Sequence, residues 1–309
     1  MHAFRLAALL LTGFGVVVAT ALVRGADLPK TLIAHRGASG YAPEHTFAAY
    51  DLAIQQGANF VEPDLAVSKD GVLVCLHDDT LDRTTNVEEV YPGRFSPDVK
   101  GRNGEKRWVA NDFTVAEIKK LDAGSWFDPK YKGAQVPTWD EILARVQQHP
   151  GIGVYPELKS PPLYTGRGID MAKIFVDSVK KHRLDTPESL RKTPVIIQSF
   201  DRPTIKRMSV ELPAVPRVYL TSDEADITDA QLKDLATFAQ GIAPEKRLVA
   251  QHPDLVTRAH ALGLTVTVWT FRADEKTSYP TVKDEMAQFL YTWGIDALFT
   301  NNPDQFPRR

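Results

Sequence analysis

Short apolar runs and amphipathic stretches alternate along most of this chain. Apolar runs of strand length fall at 31–35, 60–66, 152–157, 194–198, 215–220, 239–243, 264–269 and 296–299. Helix-period patterns accompany them at 46–56, 138–148, 169–182, 202–209, 229–238, 253–262 and 281–291. Val195-Ile196-Ile197 and Val266-Thr267-Val268-Trp269 are short and rich in β-branched residues, as strands covered on both faces are. The repetition predicts an α/β protein, a (β/α)8 TIM barrel rather than an open doubly wound sheet. A further run, 72–76, follows the turn Ser68-Lys69-Asp70-Gly71 and is predicted to extend the second strand as a hairpin.

Two regions depart from the alternation. Residues 80–135 are polar and turn-rich, with Pro92-Gly93, Ser96-Pro97 and Gly101-Arg102-Asn103-Gly104, and only 114–121 carries a helical pattern. Long irregular segments in compact barrels are usually functional. This one directly follows His77 and is predicted to be a cap inserted after the second strand, over the barrel mouth. Arg83, Arg94, Arg107, Trp108, Trp126 and Phe127 are its groups suited to a small polar ligand.

At the other exception, Leu6 to Val23 is nearly all apolar, follows Arg5, and contains the small-x-small triplet Ala19-Thr20-Ala21. That pattern predicts a signal peptide over 1–21, with cleavage as late as 26, ahead of one barrel domain over 22–309. An uncleaved anchor is the alternative, because the run approaches spanning length. Thr12, Gly13, Gly15 and Thr20 weaken it as a span. The mature chain is therefore expected to be exported, periplasmic or secreted, with no stable membrane span.

Composition narrows the field. The chain has 309 residues, 43% hydrophobic and 25% charged, enough for a large core. A net charge of −2 provides no bulk basicity for nucleic acid. Cys75 is the one cysteine, so no internal disulfide can form, and within Val72-Leu73-Val74-Cys75-Leu76 it reads as core filler.

The candidate chemistry lies at strand ends, where α/β enzymes place their sites. Alternation puts Phe60, Glu62, Asp64 and Ala66 on one face, with the Glu62 and Asp64 Cα atoms about 7 Å apart. Glu157 shares a face with Tyr155 and Lys159 on its own strand. Buried carboxylates need a counter-charge. Three acids without a cysteine ligand suit Ca²⁺ or Mg²⁺; the alternative is that Lys159 and Arg36 neutralise them without metal. Pro63 and Pro156 sit beside the acids, against the ordinary rule for central strands. His35 and His77 flank the cluster. Imidazoles titrate near neutrality, so one can take a proton while the other gives one, as a phosphodiester requires. Arg36 can grip two phosphoryl oxygens. His45, just before the helix at Thr46, is read as orienting its neighbours. His149, His182, His252 and His260 read as surface residues.

Assembled, these motifs resemble the glycerophosphodiester phosphodiesterase family, in its exported bacterial branch. They are His35-Arg36-Gly37, Pro43-Glu44-His45-Thr46, Glu62-x-Asp64, Lys69-Asp70-Gly71 through His77-Asp78, Glu157-x-Lys159, Gln198-Ser199-Phe200, Trp269-Thr270 and Thr300-x-x-Pro303. Many members carry Asn in place of His45, and an aspartate commonly follows the threonine where Asn301-Asn302 stand here. The resemblance implies metal-dependent hydrolysis of small glycerophosphodiesters, such as glycerophosphocholine, to sn-glycerol 3-phosphate and an alcohol. It implies His35 and His77 as acid–base catalysts and Glu62, Asp64 and Glu157 as ligands of a divalent cation, Ca²⁺ or Mg²⁺. Arg36 and Lys159 become phosphate contacts, and Glu44 supports the end of the first strand. Trp269 lines the pocket, with a core barrel role as the competing reading. Gln198 touches substrate or satisfies backbone. Rival readings are a sphingomyelinase D-type barrel and a non-catalytic exported surface-binding protein. The absence of a disulfide-pinned loop and the full set of two histidines and three acids speak against them.

Overall fold

A computed structural model describes residues 29–97, 99–101 and 103–309. The predicted signal segment, 1–21, lies outside the described residues. Among the described residues, eleven strand segments form one sheet. They are β1 (Thr31–His35), β2 (Phe60–Glu62), β3 (Asp64–Val67), β4 (Leu73–Cys75), β5 (Gly153–Val154), β6 (Glu157–Leu158), β7 (Ile197–Ser199), β8 (Arg217–Thr221), β9 (Gly241–Pro244), β10 (Thr265–Phe271) and β11 (Ala297–Thr300).

The runs 60–66 and 152–157, each expected as one strand, are interrupted at Pro63 and at Tyr155-Pro156. Proline brings no N–H to the ladder. Pairing continues because each proline carbonyl accepts from the next stave: the Glu157 N–H donates to Pro63 and the Gln198 N–H to Pro156, both at 2.9 Å. β1 pairs in parallel with β2 and β11, β2 with β5, β3 with β6, and β6 through β11 in chain order. With β2–β3 and β5–β6 each counted as one stave, the ring closes as the predicted eight-stave parallel barrel. β4 lies antiparallel on β3, with Leu65 opposite Cys75, as the Asp70-Gly71 turn predicted.

Alternation along the staves sorts side chains into two cores. Ile33, Val218, Leu220, Ala243 and Phe299 pack inside the barrel with Phe60, Tyr155 and Trp269. Leu32, Ala34, Tyr219, Ile242 and Leu298 face outward into the larger core beneath the helices. His35 and Glu62 continue the inward rows of Ile33 and Phe60, so the pattern that fills the barrel also aims its chemistry.

The predicted helices form at Phe47–Gln55, Trp139–Val146, Met171–Lys181, Arg202–Glu211, Asp229–Leu235, Asp254–Ala261 and Val282–Ala287. Thr138 and Glu141 close a reciprocal cap on Trp139–Val146. Short helices at Pro161–Gly166, Pro187–Lys192 and Lys246–Gln251 were not predicted, being too brief to display a period. No described helix is long and apolar enough to cross a membrane.

The 80–135 segment holds one-turn helices at Val87–Val90 and Val115–Ile118. Some of its apolar residues turn inward: Trp108, Phe113, Ile118 and Leu121 are buried in the outer core, while Val90, Phe95 and Trp126 are exposed. Arg94 pairs with Glu117, and Arg107 with Asp82. Trp126 and Phe127 stack on each other edge to face. Of the six residues expected to meet a ligand, Arg83 alone lines a cavity shared with the barrel-mouth residues His35 and Arg36.

Candidate active site

Strand register brings the site together. His35 lies beside Glu62, Asp64 beside Glu157, and Glu157 beside Gln198. These are the C-terminal ends of four neighbouring staves, where a parallel barrel presents its functional side chains. The chain then leaves β1 abruptly. Arg36 and Gly37 both take left-handed φ, +57° and +81°. At Gly37 a Cβ would come within 2.6 Å of the Ala49 carbonyl carbon, so only glycine permits this approach. The turn aims the Arg36 N–H at Glu62 Oε2, 2.8 Å away.

Glu62, Asp64 and Glu157 each offer a carboxylate oxygen within 4.8 Å of the others. All three are buried. Around them, Arg36 Nε lies 3.3 Å from Asp64 Oδ2, and Lys159 Nζ lies 3.0 Å from Glu157. Gln198 Nε2 donates to Glu62 Oε1 at 3.1 Å and to the Tyr155 carbonyl at 3.4 Å. Buried His45 bonds Asp64 Oδ2 through Nε2 at 2.9 Å and Tyr50 through Nδ1 at 2.8 Å. It thereby links Asp64 to Tyr50.

The two cations act unevenly on this cluster. Burial and the Asp64 charge push Glu62 well above the usual carboxylate range. The same two causes take Glu157 up to about 8 despite Lys159. Burial works against Asp64 too, but Lys159, His45 and Arg36 hold it well below its ordinary value. Asp64 Oδ1 is buried without a hydrogen-bond partner. An unpaired buried carboxylate oxygen among hard oxygen donors is what a divalent cation would satisfy, so the donor set fits one.

His35 and His77 line one cavity of about 120 Å³ with Arg36, Glu62, Glu157 and Lys159. Its far wall is apolar, with Phe200, Leu220, Trp269 and Phe299. Trp269 meets Phe200 edge to face at 5.5 Å and donates its indole N–H to the Ala243 carbonyl. Both readings of Trp269 therefore hold: it lines the cavity and packs in the barrel. Burial and the adjacent Arg36 charge drive His35 down to about 3. Its Nδ1 lies 2.7 Å from Asn301 Oδ1, while His77 Nδ1 lies 2.6 Å from Asp78. Glu44 accepts from Arg36 at 3.2 Å and from Arg83 at 2.7 Å.

Sequence reasoning assigned no site role to Asn301, Asp78 or Phe200. Asn301 had a visible signal: it follows Thr300 at the end of β11, the stave beside β1. Asp78 is adjacent to His77 in sequence, which alone does not reveal a bond.

Fold and site together define a (β/α)8-barrel hydrolase of phosphodiesters. The sequence model described as the glycerophosphoryl diester phosphodiesterase family matches residues 35–305. The chain is 37% identical over 284 residues to a glycerophosphodiester phosphodiesterase of Bacillus subtilis, covering 89% of this chain and 84% of that one. It is 39% identical over 285 residues to one from Caldanaerobacter subterraneus, covering 89% and 96%. Among solved structures, a phosphodiesterase of Oleispira antarctica in complex with its product sn-glycerol 3-phosphate superposes with a TM-score of 0.70. It is 29% identical, with 90% of this chain and 95% of that chain covered. The chain belongs to the glycerophosphoryl diester phosphodiesterase family.

Proposed function

We propose that this enzyme hydrolyses glycerophosphodiesters, such as glycerophosphocholine or glycerophosphoethanolamine, to sn-glycerol 3-phosphate and the free alcohol. The observation that carries the reading is the convergence of both histidines, two cationic side chains and two acids of the triad on one cavity. The product held by the Oleispira relative supports the glycerol 3-phosphate half of the substrate. Glu62, Asp64 and Glu157 would hold one divalent cation, Ca²⁺ or Mg²⁺. Bound there, the cation supplies Lewis-acid polarisation of a phosphoryl oxygen.

The chain's own residues do the rest. Arg36 offers a planar fork, and Lys159 a point charge, to the phosphoryl oxygens. His35 donates Nδ1–H to the Asn301 side-chain carbonyl, so Nε2 keeps its lone pair and can take the proton of the attacking hydroxyl. His77 donates Nδ1–H to the Asp78 carboxylate, which fixes the orientation of its ring. When Nε2 carries a proton as well, the ring is suited to deliver it to the leaving alkoxide. The attacking hydroxyl belongs to water, or to the substrate's own glycerol by way of a cyclic phosphate; one turnover in ¹⁸O-water, with a search for the cyclic species, tells these apart.

Turnover of glycerophosphocholine should stop on chelation and return with Ca²⁺ or Mg²⁺. Cleavage of sphingomyelin with glycerophosphocholine left intact would favour the sphingomyelinase D-type reading. Metal binding without turnover would favour the surface-binding one. We also read the apolar run from Leu6 to Val23 as an export signal for a periplasmic or secreted enzyme. N-terminal sequencing of the exported protein should begin between residues 22 and 27.

A further inference from the structure

Arg83 is the cationic side chain that the inserted segment sends to the barrel mouth. It makes two sets of contacts. Nε lies 2.6 Å from Asp78 Oδ2, and Nη2 lies 3.4 Å from Asp78 Oδ1. Nη2 also lies 2.7 Å from Glu44 Oε1, and Nη1 lies 3.1 Å from Glu44 Oε2. Each acid then reaches the chemistry. Asp78 Oδ1 bonds His77 Nδ1 at 2.6 Å. Glu44 pairs with Arg36, which in turn meets Asp64. One guanidinium thus joins the arm that carries a histidine to the arm that carries the phosphate-facing arginine. Arg83 itself does not line the cavity in which His35 and His77 meet.

The planar fork explains why arginine stands here. Asp78 alone could rotate about its side-chain bonds and leave His77 Nδ1 without a fixed acceptor. With Oδ2 held by Arg83, Oδ1 is fixed toward the ring. A ring whose Nδ1–H is committed must present Nε2 to the cavity, which is how an outer partner selects a tautomer. Lysine could not bind two carboxylates with this geometry. Arg83 is 40% exposed, so its truncation opens no core cavity.

We propose that Arg83 is a positioning residue, which sets the ring orientation and tautomer of His77 through Asp78 while holding Glu44 against Arg36. The part that concerns leaving-group protonation rests on the reading of His77 as the acid given above. Arg83→Ala should lower kcat on glycerophosphocholine by about ten- to a hundred-fold. Its KM should stay within about threefold, because Arg36 and Lys159 remain to bind phosphate. With the p-nitrophenyl ester of glycerol 3-phosphate, whose phenolate leaves without a proton, the loss should nearly vanish. The second readout is independent of that reading. In ¹⁵N-histidine-labelled, metal-loaded enzyme, the neutral form of the His77 ring should carry its proton on Nδ1 alone, and in Arg83→Ala on either nitrogen. Arg83→Gln serves if the alanine variant does not fold. An unchanged His77 signature in a folded Arg83 variant overturns the proposal. Equal losses on both esters in Arg83→Ala, where His77→Ala still spares the activated one, also overturn it. If His77→Ala loses equally on both esters, the acid assignment of His77 falls instead, and the nitrogen signature alone decides the role of Arg83.

Discussion

At the scale of single residues, charge and hydrogen bonding decide what each group in the site can do. His35→Ala and His77→Ala should each lower kcat by about 10²–10⁴-fold, the scale of acid–base groups, with the fold intact by circular dichroism. Near-normal turnover in either folded variant would remove that histidine from the mechanism. Glu44 gives a stability prediction with a definite sign. Burial works against its charged form, but the Arg83 hydrogen bond and the Arg36 charge hold it down to about 2, from 4.5. A carboxylate lowered on folding stabilises the protein above its unfolded value, and that contribution fades as pH falls through the folded one. The stability advantage of the wild type over Glu44→Gln should therefore shrink between pH 4.5 and pH 2. Urea midpoints across that range measure it; a constant difference would mean that Glu44 contributes by shape alone. The candidate acids and histidines were legible in sequence because charged residues at apolar strand positions break a pattern. Their partners were not. Nothing in the chain says that Asn301, 266 positions further on, caps His35.

At the scale of elements, the barrel rhythm was legible and its interruptions were half so. Pro63 and Pro156 stood out beside the acids, and both do break their strands. Ladder continuity through their carbonyls depends on the neighbouring stave, which local sequence does not specify. The 80–135 segment shows the opposite outcome. Its polar, turn-rich composition suggested that Trp108 meets a ligand, yet Trp108 is 4% exposed and belongs to the outer core. Its indole N–H donates to the Tyr91 carbonyl at 2.8 Å, which binds two turns of the segment together. Trp108→Ala should destabilise the protein by about 3–5 kcal/mol, the cost of emptying a buried aromatic site. Its kcat and KM, measured well below the melting point, should stay near wild type. A folded variant with normal stability and a raised KM would return Trp108 to a substrate-facing role. Periodicity fails for such a segment because its buried residues lie on single turns, as Val87 and Ile118 do, or on irregular stretches beside them, as Trp108, Phe113 and Leu121 do, rather than on a full helix face.

At the scale of the whole molecule, closing the ring converts separate strand ends into one charged mouth. Three buried acids within 4.8 Å of one another form a group that could hold a cation there. Added Ca²⁺ or Mg²⁺ should raise the melting temperature of chelated protein, by a free energy near 2.7 kcal/mol at a hundred times the dissociation constant. The triple variant Glu62→Gln, Asp64→Asn, Glu157→Gln should lose that response, as followed by calorimetry. A metal-independent melting temperature, with no metal found by elemental analysis, would support neutralisation by Lys159 and Arg36 instead. By itself the sequence determined the eight-fold alternation, the hairpin after the second strand, and the residue types able to move protons and bind phosphate. These are local properties, carried by spacing and side-chain chemistry. Only the tertiary structure decided that Pro63 and Pro156 keep their ladders, that Trp108 is core, and that Arg83 ties Asp78 to Glu44. Those outcomes depend on which distant groups become neighbours when the barrel closes, and no local pattern encodes that distance.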